Sequence, residues 1–346
     1  NLSHSGQMML LRDELRKHPA TVLVEPPGGD EYATGWLGDR ANEIIVQLTH
    51  TGPQNTAPRQ VPEPALHAGS HFPPGDEWLY AKLYLSAERQ DDLLVDHVGQ
   101  LARALPEQVD RWFFIRYNDP EPHLRLRFHA APGELSSVLL PALAGWAGRL
   151  IDAGSARVLM LDTYRPEIDR YGGVGCVVAA EQAFGADSDA VLTQLGLLNA
   201  GQCELDRQQL VAANFVDILR RLGDDDWAEW LLEAFPRNEA AHRATKQARA
   251  AADGLIDPSG DWRSLRSRVG GDKILASWER RADALSHYGA VLRQRPAAKS
   301  RTTPVASLLH MHYNRLIGPD REGEMRTYAI VRAAVAAHLA RVRHTR

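Results

Sequence analysis

The chain has 346 residues, a length that suits about two domains and a substantial core. Its 44 acidic residues outnumber its 40 basic ones, and a formal net charge of -4 argues against general nucleic-acid binding. No stretch approaches the roughly 18 uninterrupted apolar residues of a membrane span, and the start lacks a signal-peptide pattern, so a soluble cytoplasmic protein is expected.

The first fifty positions mix a short helical start at 8–17 with strand-like pieces at 21–25 and 43–48. Residues 49–75 are rich in Pro, Gly, Ser and His without periodicity and read as a linker or extended arm. The segment 78–85 alternates like a strand, and Ser86 is placed to cap the next helix, where Leu93, Leu94, Val98, Leu101 and Leu105 recur at helical spacing. A strand at 112–117, a turn at Asn118-Asp119-Pro120 and a second strand from His123 to His129 make a hairpin. A helix at 135–153 and a strand at 156–163 follow. From Cys176 onward the pattern is helical, in segments 177–186, 189–222, 226–236, 238–253, 273–294, 304–317 and 322–343.

The expected fold class is α+β: an N-terminal mixed α/β lobe with an antiparallel-containing sheet, followed by a mostly helical C-terminal lobe. Residues 1–75 are read as an N-terminal strand-containing arm and linker, and 76–346 as the principal domain. Within that domain the α/β part is 76–190 and the helical part 191–346. Cys176 and Cys203 are too few for a disulfide framework, lack a metal-type spacing, and are expected to be buried structural residues.

The strand 123–129 carries the most informative pattern. Leu124, Leu126 and Phe128 fall on one face, and His123, Arg125, Arg127 and His129 on the other. Two arginines about 7 Å apart on one strand face repel unless an anion lies between them. The pair reads either as a charged edge strand that resists aggregation or as a fork for a carboxylate or phosphate.

Two further segments bear chemistry. In 162–173 a strand end runs through Glu167, Arg170 and Tyr171 to Gly172-Gly173, and Glu167 and Arg170 share a face if Pro166 opens a helical turn. In 307–316, Ser307, His310 and Asn314 share a helix face, and an Asn-oriented imidazole suits general acid–base work. His312 points elsewhere, and its replacement by Ala is expected to be mild. The spacing of His310 and His312 is wrong for a helical metal site, and the chain has no Gly-rich phosphate loop, nucleophile elbow or kinase set. No metal and no cofactor are expected.

In order, 78–84, Phe114 to Arg127, Tyr164 to Gly173, Ala180-Glu181 and His310 to Arg315 resemble the C-terminal domain of class I lantibiotic dehydratases, a domain also found alone in thiopeptide and related bacteriocin pathways. Residues 38–46 look like the last strand of the glutamylating domain of the full-length enzymes. The resemblance identifies the chain as a stand-alone elimination subunit of a split dehydratase.

The resemblance implies a lyase. A Ser or Thr of a ribosomal precursor peptide, esterified with glutamate by a separate tRNA-dependent glutamylation protein, loses that glutamate by β-elimination to give dehydroalanine or dehydrobutyrine. By the same resemblance, Arg125 and Arg127 bind the glutamate carboxylates, and Arg116 supports them from the neighbouring strand. Arg170, held by Glu167, stabilises charge, His310 is the acid–base group, and Tyr171 and Asn314 join the substrate site. The tRNA belongs to the partner, so no direct nucleic-acid contact and no membrane contact are expected. The arm suits partner docking or self-association as a homodimer. The alternatives are a thiopeptide pyridine synthase, which joins two dehydroalanines in a formal cycloaddition, and a non-catalytic precursor-peptide-binding subunit.

Overall fold

The computed structural model describes Arg12 and residues 71–252, 254–295 and 301–345. The expected helix at 8–17 and strands at 21–25 and 43–48 lie outside the described residues, apart from Arg12, which is helical. Four strands form one antiparallel sheet: β1 (Trp78–Tyr84), β2 (Arg111–Tyr117), β3 (His123–His129) and β4 (Val158–Asp162), in the order β2-β3-β1-β4. Alternation decides the faces. Leu124, Leu126 and Phe128 pair with Leu83, Ala81 and Leu79 of β1, and all six are almost wholly buried. Burying each larger apolar side chain contributes about 1.5–3 kcal/mol, which outweighs the repulsion that the register places on the other face. There Arg125 lies opposite Lys82, and Arg127 opposite Tyr80.

Helix α1 covers 87–103 and contains one π-turn at Leu94–Val98. Ser86 has the extended backbone of a cap, but its hydroxyl makes no cap hydrogen bond. Helix α2 covers 132–152, and its Leu139, Leu143, Trp146 and Leu150 join the same hydrophobic core as the apolar sheet face. The rest is helical: α3 (Val174–Asn199), α4 (Arg207–Arg221), α5 (Trp227–Ala234), α6 (Glu239–Ala244), α7 (Lys246–Ala252), α8 (Ser259–Arg266), α9 (Gly271–Arg293), α10 (Thr302–Leu316) and α11 (Arg321–Thr345). The class is therefore α+β as expected, and no described helix is long and apolar enough to cross a membrane.

Boundaries differ where polar residues carry more than local meaning. The expected break at 187–188 is absent, because Asp187 and Ser188 are buried and spend their side chains on tertiary partners: His312 for Asp187, and the Phe114 amide for Ser188. The expected single helix at 189–222 instead stops at Asn199. Gly201 turns the chain at φ 62°, and Asp206 with Gln209 forms a reciprocal capping box that starts α4. Thr245 separates α6 from α7 within the expected 238–253 helix, and α8 was not expected. Cys176 is buried as expected, whereas Cys203 is only half-buried.

Strand β2 sits at the sheet edge, and helices close it with side chains. The Phe114 amide donates to Ser188 Oγ (3.3 Å), and Arg315 Nε donates to the Phe114 carbonyl (3.0 Å). The Arg116 amide donates to Asn314 Oδ1 (2.8 Å), while Asn314 Nδ2 donates to the Arg116 carbonyl (2.9 Å). These bonds satisfy buried backbone groups that would otherwise go unpaired. They also fix α3 and α10 beside the arginine-bearing face.

Candidate active site

A cavity of about 620 Å³ opens where that face meets the 163–173 loop, α3 and α10. Segments far apart in sequence converge on it: Arg125 and Arg127, then Glu167, Arg170 and Tyr171, then His310 and Asn314. A larger groove of about 950 Å³ between α1 and α3 contains none of the expected residues, and its buried acid, Glu181, is already paired with Arg111.

Arg127 lies among aromatic rings, its guanidinium carbon 4.6 Å from the Tyr80 centroid, 5.0 Å from Tyr164 and 5.3 Å from Phe113. Its Nε is buried with no hydrogen-bond partner. Tyr164 is held in place by donating to Glu181 Oε1 (2.8 Å), while Arg111 occupies Oε2. Burial pushes the Glu181 carboxyl up to about 7 against these two donors. Arg125 stacks on Tyr117, 3.3 Å from its centroid, and donates from Nε to His123 Nε2 (3.1 Å). That acceptor role leaves the His123 proton on Nδ1, where it is donated to the Glu121 carbonyl (2.8 Å). Burial, with the Arg125 and Lys82 charges, holds His123 down to about 4, so it stays neutral.

Arg170 donates to both Glu167 oxygens (2.9 and 3.1 Å) and from Nε to Ser307 Oγ (3.0 Å), which ties the loop to α10. Burial pushes the Tyr171 hydroxyl up to about 12 despite the nearby Arg170 charge, which keeps it a proton-bearing donor. Of the double glycine behind it, Gly173 has open space but a φ of 98°, whereas Gly172 is required by space as well. Gly172 has φ 110°, and a Cβ there would come within 2.9 Å of Leu292 and 3.0 Å of Cys176.

His310 lines the cavity, and its Nδ1 lies 2.9 Å from Glu324 Oε2 on α11. With the proton assigned to Nδ1, Nε2 keeps its lone pair. His312 faces away, as expected, but into the core. It is fully buried, with Nδ1 2.8 Å from Asp187 Oδ1, so its replacement bears on the stability of the core. Asp187 is held well below the usual carboxylate range by His312, Arg281 and Arg315, even though burial opposes its charge.

Two expected residues have other duties. Arg116 projects from the opposite sheet face, bonds the Arg315 carbonyl through Nε (2.8 Å) and pairs with Asp91 on α1 (2.7 Å). It anchors the site from behind and does not share the face of Arg125 and Arg127. Asn314 borders the cavity, but its amide is committed to the backbone of β2. Two residues were missed: Glu324, for which the sequence gives no local signal, and Arg315, adjacent to Asn314 in a segment already singled out. Among the described residues no group of three His, Cys, Asp or Glu is placed to hold a metal ion.

A family described as lantibiotic biosynthesis dehydratase C-term matches residues 78–335. The subtilin biosynthesis protein SpaB of Bacillus subtilis is 28% identical over 334 residues, covering 94% of this chain and 32% of that protein. The nisin biosynthesis protein NisB of Lactococcus lactis subsp. lactis is 32% identical over 127 residues, 36% of this chain and 12% of that protein. The crystal structure of the tRNA-dependent lantibiotic dehydratase MibB from Microbispora sp. 107891 is similar with a TM-score of 0.71 and 28% identity, covering 99% of this chain and 35% of that one. The chain spans about one third of the length of SpaB and MibB.

Proposed function

This chain belongs to the lantibiotic biosynthesis dehydratase C-terminal family, and from that premise we propose that it removes glutamate by β-elimination from glutamylated Ser or Thr of a ribosomal precursor peptide. The observation that carries the reading is the convergence of Arg125, Arg127, Arg170 and His310 on one cavity, with Arg127 bonded to no acid among the described residues.

The chemistry suits those groups. The glutamyl ester presents a free side-chain carboxylate and an α-carboxyl that leaves. A leaving acid with a pKa of about 3.5 departs as an anion and needs charge stabilisation rather than protonation. The arginines supply that charge. The difficult proton is the one on the peptide Cα, and His310 Nε2 is the ring nitrogen free to take it while Glu324 holds the tautomer. As the Cα–H bond breaks, its electron pair forms the Cα–Cβ double bond. The Cβ–O pair departs on the glutamate carboxylate. Arg170, charged at all working pH values, acts through its field.

Under this reading residues 76–346 are the elimination domain of a cytoplasmic lyase. A separate tRNA-dependent protein attaches the glutamate. The test is to mix the chain with glutamylated precursor peptide and follow peptide mass. Release of one glutamate per site, leaving the peptide one water lighter than its unmodified form, is expected. Glutamyl adducts that persist unchanged would sink the reading.

A further inference from the structure

Glu181 of α3 is 3% exposed and does not line the cavity, but it is bonded to Tyr164, which does. Both of its oxygens are taken. Oε1 accepts from the Tyr164 hydroxyl (2.8 Å) and Oε2 from Arg111 Nη1 (2.8 Å). A buried carboxylate is costly unless its charge and its lone pairs are both answered. Arg111 does not answer the charge alone, because its Nε also lies 3.6 Å from Asp110 and its Nη2 is 2.6 Å from His129 Nε2. The other cation whose charge steadies Glu181 is Arg127.

Arg127 is held by rings. Its Nε has no hydrogen-bond partner, and its guanidinium sits 4.6 Å from the Tyr80 ring, 5.0 Å from Tyr164 and 5.3 Å from Phe113. Such a seat is only as firm as its rings, since the attraction depends on the cation lying over the ring face. Tyr80 and Phe113 stand on β1 and β2, and the strand ladders fix them. Tyr164 lies beyond the end of β4, in the loop that leads to Glu167 and Arg170. Its backbone is pinned by one bridge to Phe72 (2.8 and 2.9 Å), and its ring leans on Trp78 at 4.7 Å. The far end of that ring, the hydroxyl, is tied to Glu181. A phenylalanine would supply the same ring to the core, so the hydroxyl and the buried acid serve orientation rather than filling.

We propose that Glu181 is a positioning residue for Arg127: through the Tyr164 hydroxyl it orients the ring that seats the guanidinium, and it supplies the buried charge that balances that guanidinium. Glu181 touches no substrate. It links α3 to the arginine-bearing face through one side chain, as Glu324 links α11 to His310. The consequence for turnover rests on the elimination reading, whereas the seating of Arg127 does not.

The test takes the full chain labelled with nitrogen-15 arginine and reads the solvent exchange of the Arg127 Nε–H resonance, identified by its loss in Arg127→Gln. Single-turnover elimination from glutamylated precursor peptide is measured beside it. The wild-type resonance is expected to be protected from exchange. Tyr164→Phe keeps the ring and removes the tether, and Glu181→Gln keeps an acceptor for Tyr164 and removes the charge. Each is expected to speed the exchange and to slow elimination by about tenfold, the scale of one weakened cation–π contact. In an Arg127→Gln background neither is expected to slow elimination further, because both act through Arg127, whereas a general structural loss carries the same factor into either background. Additive losses overturn the proposal, and so does a wild-type resonance in fast exchange or one left unchanged by Tyr164→Phe. If Glu181→Gln does not fold, Tyr164→Phe decides on the same two measurements. The expected exchange pattern with no glutamate released by any chain, the wild type included, leaves the positioning role standing and removes the elimination reading.

Discussion

Asn314 completes the edge of the sheet for Arg116. Its side-chain amide accepts the Arg116 N–H at 2.8 Å and donates to the Arg116 carbonyl at 2.9 Å, the two bonds that a neighbouring strand would otherwise make. Together with the Arg315 bond to the Phe114 carbonyl, this pair registers helix α10 against the arginine-bearing sheet, and His310 stands one turn away from Asn314 on that helix. Fold and site meet at this pair.

Asn314→Ala leaves both backbone groups buried without partners. At about 1–3 kcal/mol for each orphaned group, a loss on the order of 2–6 kcal/mol is expected in urea unfolding. Asn314→Asp keeps the acceptor but turns a donor into an acceptor facing the Arg116 carbonyl, so it is not expected to restore stability. If Asn314→Ala left the unfolding midpoint unchanged, the edge-closing role would be wrong.

His310 and His312 lie two positions apart and are expected to fail differently. His312 is fully buried against Asp187, and its removal leaves that buried carboxylate short of a donor and opens a void. His312→Ala is expected to lose about 2–4 kcal/mol of stability. His310→Ala is expected to keep its stability and leave glutamyl adducts uneliminated. Thermal unfolding and peptide mass, measured on both variants, separate the two roles.

Much of this was legible because the information is local. Period-two alternation from His123 to His129 placed the arginines on one face, and helical spacing placed Ser307, His310 and Asn314 together. Tertiary partners were not legible. Asp187 and Ser188 read as a helix break because nothing nearby in the chain shows that His312, Arg281 and the edge of β2 would occupy them. Arg116 looked like a site residue on its hairpin, yet strand parity sends it to the opposite face, where Asp91 awaits it. Glu324 reaches His310 only because α11 turns back beside α10. The break before α4 was within reach, since Asp206 and Gln209 have the spacing of a capping box.

The neutral His123 beneath Arg125 sets an acid limit. Its folded pKa is depressed to about 4 by burial and by the Arg125 and Lys82 charges, against roughly 6.5 in an unfolded chain. The unfolded state therefore binds a proton that the native state refuses. Stability from this group is complete above about 6.5 and falls as the pH drops toward 4. His123→Gln keeps an acceptor for Arg125 but cannot titrate. Between pH 7 and 4 the wild type is expected to lose more melting temperature than His123→Gln, and parallel curves for the two would refute the assignment.

Under the elimination reading, Glu324 acts on the reaction through His310. It meets Nδ1 at 2.9 Å, which fixes the ring proton there and leaves Nε2 as the nitrogen able to accept a proton from the peptide. Without the carboxylate, the imidazole is free to rotate and to exchange tautomers, and only a fraction of the molecules present the base. Glu324→Ala is therefore expected to lower the rate of glutamate elimination by about tenfold to a thousandfold, with little change in the affinity for glutamylated peptide. Glu324→Gln still accepts the Nδ1 proton through its amide oxygen, so it holds the tautomer without the negative charge and should fall between the wild type and Glu324→Ala. Single-turnover elimination with saturating peptide measures the ordering. If Glu324→Ala raised the peptide concentration needed for half-saturation and left the turnover rate intact, Glu324 would belong to substrate binding rather than to the positioning of His310.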